Sequence, residues 1–345
     1  FHGDNKDVLA WLLAHGYRGT VDLIYIDPPF DSGADYVRQV QLRGVRTAQL
    51  EGEAHSLGEQ IQYTDIWAND MYLQFMYERL LLLRELLSET GSIWVHCDYR
   101  KSHFLRCVME EVFGAENLRN EIVWRRANAH NDPGKFGIIT DTIFYFSKSG
   151  EYTWHQQFTP VSEGYIESHW QRTDEEGRRY RLIPLDAPRH GDGGNLIYEW
   201  KGKLPSPSRT WAYVKEKMME FEKEGKIAYT STGTPCLKRY LDEVPGQPVQ
   251  NLWDDIPPVN PMAHERLDYP TQKPEALLER IVEATSNPDD VLLDCFVGSG
   301  TTAAVAQKLG RRWIASDINK GAIQTTSKRL QTIIQEQIEA GAEPR

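Results

Sequence analysis

Cysteine is scarce in this chain: the four present among 345 residues (Cys97, Cys107, Cys236, Cys295) are scattered, with no CxxC pair. That spacing argues against a zinc site and against a disulfide framework, so no metal is expected, and it fits a reducing cytosol. No apolar run approaches a membrane span. No signal-like stretch follows Phe1, which leaves the native N-terminus open. A cytoplasmic protein is the expectation. Positive charge is also short. Lys and Arg number 39 against 50 Asp and Glu, a net −11, which looks wrong for a nucleic-acid partner. The distribution matters more. Residues 125–245 hold 18 Lys/Arg against 17 Asp/Glu, so the remainder carries −12. This middle third also interleaves basic and aromatic residues, as in "WQRTDEEGRRYRL". A solvated loop face explains such runs as readily as a nucleic-acid surface.

What the chain does have is alternation. Helix 5–16, strand 21–27, helix 70–88, strand 91–98, helix 101–113 and strands at 120–126 and 141–148 follow from periodicity and caps. The pattern resumes with helix 274–286, strand 290–295, helix 301–309, strand 312–317 and helix 320–339. It predicts an α/β fold with a doubly wound, mostly parallel sheet. Between about 150 and 265 the alternation breaks down, with one clear helix near 212–224, and an inserted region is expected there. Residues 31–62 carry Gly33, Gly44, Gly52 and Gly58 and read as a long loop. Its Arg38, Arg43 and Arg46 suit contact with phosphates.

Two stretches carry chemistry. In "DLIYIDPPF", a buried strand runs into Asp27 at its carboxyl end, where α/β sheets place ligands. Pro28 and Pro29 then stiffen the turn that projects Phe30. A core turn with Phe30 inside is the plainer alternative. In "DVLLDCFVGSGTTAAVAQKLGRRWIASDIN", a glycine turn links strand to helix, and Asp317 follows Gly298 by 19 residues at the tip of the next strand. A carboxylate there accepts hydrogen bonds from ribose hydroxyls. Ala303 keeps a dinucleotide compatible with the spacing, but Asp294 would face a pyrophosphate badly and an ammonium well. S-adenosylmethionine, with ribose at one end and a zwitterionic amino acid at the other, suits both acids.

With "DPPF" at 27–30, an irregular middle, "YPTQKPEALLERIV" at 269–282 and "DCFVGSGTT" at 294–302, in that order, the chain resembles the β-class (permuted) amino-directed DNA methyltransferases of the N-4/N-6 family. The resemblance implies a Rossmann-like S-adenosylmethionine-dependent methyltransferase domain. Its catalytic half would span 1–149, its target-recognition region 150–265 and its cofactor-binding half 266–345. It implies site-specific transfer to the N6 amino group of adenine in double-stranded DNA, with base flipping. Asp in the first motif position resembles adenine-directed members; cytosine-N4 is the alternative. A homodimer and a partner restriction endonuclease are compatible with it. A NAD-dependent dehydrogenase leaves "DPPF" unexplained, and intact Asp27 and Gly298 argue against an inactive DNA-binding homologue.

Residue by residue, the resemblance makes Asp27, Pro28, Pro29 and Phe30 catalytic. The amino lone pair of a nucleobase is delocalised into the ring; a carboxylate and a rigid carbonyl accepting both N–H groups favour the attacking form, and Phe30 stacks on the flipped base. Asp294, Phe296, Gly298, Ser299, Gly300 and Thr301 would surround the methionine half of the cofactor, with Asp317 on the ribose. Thr271, Lys273 and Pro274 match the family's cofactor motif before a helix. Asp4 or Asn5 would approach the adenine ring, although helix capping explains them equally well. "HCD" at 96–98 ends a strand on the ligand side and is expected to wall the site without a role.

Overall fold

The computed structural model describes residues 1–29, 35–39, 59–64, 69–267 and 269–341. Phe30, Arg43 and Arg46 lie outside the described residues, as does the side chain of Arg38. Two compact units result: Phe1–Gln157 with Gln250–Arg345, and Phe158–Val249.

The first unit is built on a seven-stranded sheet. In chain order its strands are β1 (Val21–Ile26), β2 (Leu87–Cys97), β3 (Leu118–Arg125), β4 (Thr140–Ser147), β5 (Leu252–Trp253), β6 (Val291–Asp294) and β7 (Arg312–Ala315). Their spatial order is β5-β3-β4-β2-β1-β6-β7. β4 runs antiparallel to β2 and β3, and every other pairing is parallel. The central strands are near-continuous apolar runs, as burial on both faces requires. Ile24, Ile26, Ile93, Val95, Phe144 and Phe146 pack against α1 (Asn5–Ala14), α2 (Asn69–Leu86) and α3 (Ser102–Phe113). Alternation sends Leu23, Tyr25, Trp94, His96 and Tyr145 to the other face. There the Trp94 indole donates to Thr285 Oγ1 of α4 (Glu275–Thr285) at 3.1 Å. α5 (Thr301–Lys308) and α6 (Lys320–Glu339) complete the α/β arrangement.

β1 has β2 on one side and β6 on the other, so the strand order reverses at β1. In an open α/β sheet that reversal opens a crevice at the carboxyl ends. Asp27 and Asp294 stand at those ends, and Asp317 two residues beyond β7.

Two sequence expectations need correcting. The stretch 31–62 is not all loop: Asp35–Gln39 pairs antiparallel with Glu59–Thr64. The period-2 pattern of "EQIQYT" was the signal for it. The irregular region holds more than one helix. Phe158–Val249 carries a four-stranded sheet in the order Ile227–Tyr229, Pro235–Tyr240, Arg179–Pro184, Arg172–Thr173, all pairs antiparallel. Its helices are Glu163–His169 and Lys215–Lys223, around a small core of Leu185, Trp200, Trp211 and Met218. This unit is also narrower than 150–265, because Leu252–Trp253 pairs with β3 in the main sheet. Among the described residues no helix is long and apolar enough to cross a membrane.

Candidate active site

At the carboxyl ends of β1, β6 and β7 lies a cavity of about 610 Å³, within the size range of small-molecule sites. Its walls include Asp4, Asn5, Asp27, Pro28, Pro29, Thr271, Lys273, Asp294, Phe296, Gly298, Ser299, Thr301 and Asp317. Nearly every described residue singled out from the sequence is thus brought to one place. Two stand back from the wall. Pro274, with φ −65°, occupies the cap position of α4 and sets where that helix begins. Gly300, with φ +78°, packs under α6: a Cβ there would fall 2.6 Å from Thr326 Oγ1.

Three carboxylates converge on the cavity, each held differently. Asp294 is almost wholly buried. It accepts hydrogen bonds from Thr302 Oγ1 at 2.6 Å and from the Phe296 N–H at 2.9 Å. Burial outweighs both, aided by the charges of Asp27 and Asp317, and lifts its carboxyl to about 7. Asp317 accepts from the N–H groups of Gly298 (2.9 Å) and Asn319 (2.8 Å), so it anchors the glycine turn while leaving lone pairs for a ligand. Burial raises its carboxyl as well. Asp27 pairs through Oδ2 with the Lys273 ammonium. Its Oδ1 is buried and has no hydrogen-bond partner among the described residues. A buried acceptor without a donor costs free energy unless a ligand supplies one.

At the far end, Asp4 caps α1 by accepting from the Lys6 N–H at 2.8 Å, as the capping alternative had it. Asn5 donates to the Cys295 carbonyl at 3.3 Å. Both are held by Arg79 of α2, which reaches Asn5 Oδ1 at 2.5 Å and Asp4 Oδ1 at 3.1 Å. Arg79 also lies over the Phe75 ring at 3.5 Å, and Phe75 meets Phe296 edge-on at 6.2 Å. Sequence reasoning missed Arg79 and Phe75. The signal was an arginine inside the apolar run "MYERLLLL", since a buried guanidinium needs partners. It missed Arg329 too, whose guanidinium bonds the Ser299 carbonyl at 3.2 Å, Thr301 Oγ1 at 3.1 Å and Glu275 at 2.7 Å, tying the glycine turn to α6 and α4.

A second cavity of about 460 Å³ shares Tyr269, Thr271 and Lys273 with the first and continues to Asp98, Arg100, Trp124, Arg126, Asp141 and Arg266. Between the two cavities runs a buried chain of hydrogen bonds. Tyr25 on the wall of the first meets His96 Nδ1 at 2.9 Å, and His96 Nε2 meets Asp141 Oδ2 on the wall of the second at 3.1 Å. Burial pushes the Asp141 carboxyl up, but His96, Lys273 and Arg126 outweigh it and hold it below the usual range. An ionised Asp141 only accepts, so Nε2 carries a proton. With that tautomer Nδ1 accepts the hydrogen bond that the Tyr25 hydroxyl donates. The "HCD" stretch therefore ties the two cavities together.

Residues 21–328 match the DNA methylase family. The chain belongs to that family. The type II methyltransferase M.EcaI of Enterobacter cloacae is 32% identical over 330 residues, 95% of this chain and 68% of that relative. The DNA adenine methyltransferase YhdJ of Escherichia coli (strain K12) is 24% identical over 332 residues, 95% of this chain and 81% of its own. The chain spans 49% of another relative, the StyLTI Mod subunit of a type III restriction-modification enzyme of Salmonella typhimurium. Among solved structures, the PvuII DNA methyltransferase (cytosine-N4-specific) superposes with a TM-score of 0.51 at 13% identity, over 97% of this chain and 89% of that one. At that identity the likeness is one of fold. A DNA methylase takes its methyl group from S-adenosylmethionine, and the residues present fit that donor: acidic groups for its ammonium and ribose, an aromatic ring for its adenine.

Proposed function

We propose that this protein is a site-specific DNA methyltransferase that acts on the N6 amino group of adenine in double-stranded DNA. The observation that carries the reading is the Oδ1 of Asp27, which has no hydrogen-bond partner among the described residues and stands at the end of β1 on the wall of the larger cavity. The motif's first residue is Asp, as in adenine-directed members, and a relative is named as an adenine methyltransferase. S-adenosylmethionine bound in the larger cavity supplies an electrophilic methyl group on sulfonium. Asp294 receives its ammonium, Asp317 its ribose hydroxyls, and Asn5 and Phe75 its adenine ring, while Phe296, Gly298, Ser299 and Thr301 surround its methionine half.

The target base leaves the duplex, because its amino group is unreachable inside the stack. It enters from the side of the smaller cavity, where Tyr269 and Trp124 offer aromatic surface. Phe30, by its place in the motif, stacks on it. Asp27 Oδ1 and the Pro28 carbonyl accept the two amino N–H bonds and favour the attacking geometry. The amino nitrogen gives its lone pair to the new N–C bond, the pair of the broken C–S bond stays on sulfur, and one N–H proton passes to Asp27 Oδ1. The unit Phe158–Val249 supplies target recognition. A restriction endonuclease for the same sequence is the partner this reading brings with it, after the named role of the StyLTI relative.

The test is sequencing, with modification detection, of DNA from a methylation-free host that expresses the protein. N6-methyladenine at one recurring sequence is expected. N4-methylcytosine would overturn the base assignment, and unmodified DNA in the host and with purified protein and S-adenosylmethionine would overturn the activity.

A further inference from the structure

Lys273 belongs by motif with the cofactor residues, yet its ammonium sits on Asp27. It donates to Asp27 Oδ2 and, at 3.5 Å, to the Thr271 carbonyl. Its backbone is fixed: the carbonyl accepts Thr301 Oγ1 at 3.2 Å, and Pro274 follows with φ −65°. Both charged side chains are largely withdrawn from water, at 12% exposure for Lys273 and 18% for Asp27. Lys273 walls both cavities, whereas Asp27 walls the larger one.

We infer that Lys273 is a positioning residue for the transfer step, holding Asp27 with Oδ2 tied and Oδ1 turned toward the target amino group. This rests on the function proposed above. A carboxylate turns freely about its terminal torsion, which is broad and roughly two-fold. Left alone, Asp27 would present either oxygen, in any plane, to an acceptor geometry that catalysis requires to be fixed. A charge-assisted bond to a single oxygen removes that freedom. It also sets a cation beside one of three carboxylates crowded into a single cavity, which partly offsets the repulsion that Asp27 exerts on Asp294. An ammonium is a point donor and takes one oxygen; the planar fork of arginine tends to take both.

The experiment uses the full chain, with Lys273→Met and Lys273→Arg compared for single-turnover methylation, S-adenosylmethionine affinity by calorimetry, and base flipping by 2-aminopurine fluorescence at the target position. Lys273→Met is expected to slow transfer roughly ten- to a hundred-fold, the range of a lost charge-assisted hydrogen bond. Its affinity for the cofactor should stay within about threefold, and flipping should persist, so the loss falls on the transfer step. Lys273→Arg keeps the cation but engages both oxygens, so its rate should stay well below wild type, whereas full recovery would show that charge alone, not the tie to one oxygen, is what Lys273 supplies and would overturn the inference. A cofactor affinity that falls in step with the rate would return Lys273 to the cofactor site and overturn the inference. An unchanged rate would do so as well. Wild-type protein that makes N4-methylcytosine removes the adenine reading and leaves this one to the same rate ratio. Wild-type protein that methylates no amino group removes both.

Discussion

The two compact units differ in what holds each residue in place. In the first, strands lie in a largely parallel sheet, buried on both faces, and the functional side chains stand at strand ends or one turn beyond. In Phe158–Val249 the strands are two to six residues long, antiparallel and largely exposed or half-exposed, beside a small apolar cluster of Leu185, Trp200, Trp211 and Met218. Charge divides the same way. Residues 158–249 hold 14 Lys/Arg against 14 Asp/Glu, so the whole net −11 lies elsewhere. On the proposed function this division follows from the ligands: a pocket for a small cationic donor favours acidic walls, whereas excess negative charge opposes contact with a polyanion. If Phe158–Val249 recognises the target as proposed, the contrast teaches that chemistry and recognition are held by different kinds of structure. A parallel sheet fixes a few side chains closely, while short antiparallel strands leave many positions open to change.

The strongest way to break this comparison is to exchange it. Replacing 158–249 with the corresponding segment of a relative that methylates another sequence should move methylation to the new site. Transfer at the original sequence should fall by about a thousand-fold or more, the lower end of the usual gap between specific and non-specific DNA binding. Affinity for S-adenosylmethionine should stay within about threefold, since every residue that walls the larger cavity lies in the other unit. Methylation that stays at the old sequence would deny the segment its role in recognition.

Two glycines with the same φ sharpen the point. Gly300 in the first unit and Gly202 in the second both have φ +78°. At Gly202 nothing lies within 4 Å of where a Cβ would be; at Gly300 it would stand 2.6 Å from Thr326 Oγ1 and 2.8 Å from its Cγ2. Alanine at 202 should cost only the left-handed strain, about 1 kcal/mol. Alanine at 300 adds an overpacking cost of about 1–3 kcal/mol, because α6 must move. It should also weaken the cofactor at least about tenfold by displacing the turn. Thermal unfolding and calorimetry on both variants check this. Equal costs would mean that α6 gives way freely and that the glycine turn is not set by packing.

The same contrast explains what was legible in the sequence. β1 with Asp27, and β6 with its glycine turn and Asp317, could be read because chemistry confines them to a strand end, a tight turn and a fixed spacing. The bounds of α1, α3, α4 and α6 followed from periodicity and caps. The four-stranded sheet of 158–249 was not legible: strands such as "RYRLIP" bury little and show no clean alternation. Long-range partners were hidden for another reason. Arg79 meets Asn5 across 74 positions and Lys273 meets Asp27 across 246, and no local pattern encodes such pairs. His96 was noticed without a role, since its partners Tyr25 and Asp141 come from two other strands.

Asp294 offers the finest probe of the sheet unit, through pH. Burial lifts its carboxyl to about 7, while an exposed aspartate titrates near 3.9. A raised carboxyl contributes to ligand-free stability below its unfolded value, and that contribution is lost as pH rises through about 7. Binding a cation works in the opposite sense. The ammonium of S-adenosylmethionine needs the ionised carboxylate, so below about 7 each binding event must first release a proton. The dissociation constant should therefore improve by about tenfold per pH unit up to about 7, then level off. It should worsen again once the ligand's own α-amino group deprotonates, at about 7.7–8.0. Asp294→Asn should flatten the acidic limb, at the cost of weaker binding near neutrality. Calorimetry in buffers of different ionisation enthalpy measures the released proton directly. A flat profile between pH 5.5 and 7, with about zero protons exchanged, would mean that Asp294 is already ionised or does not face the ammonium.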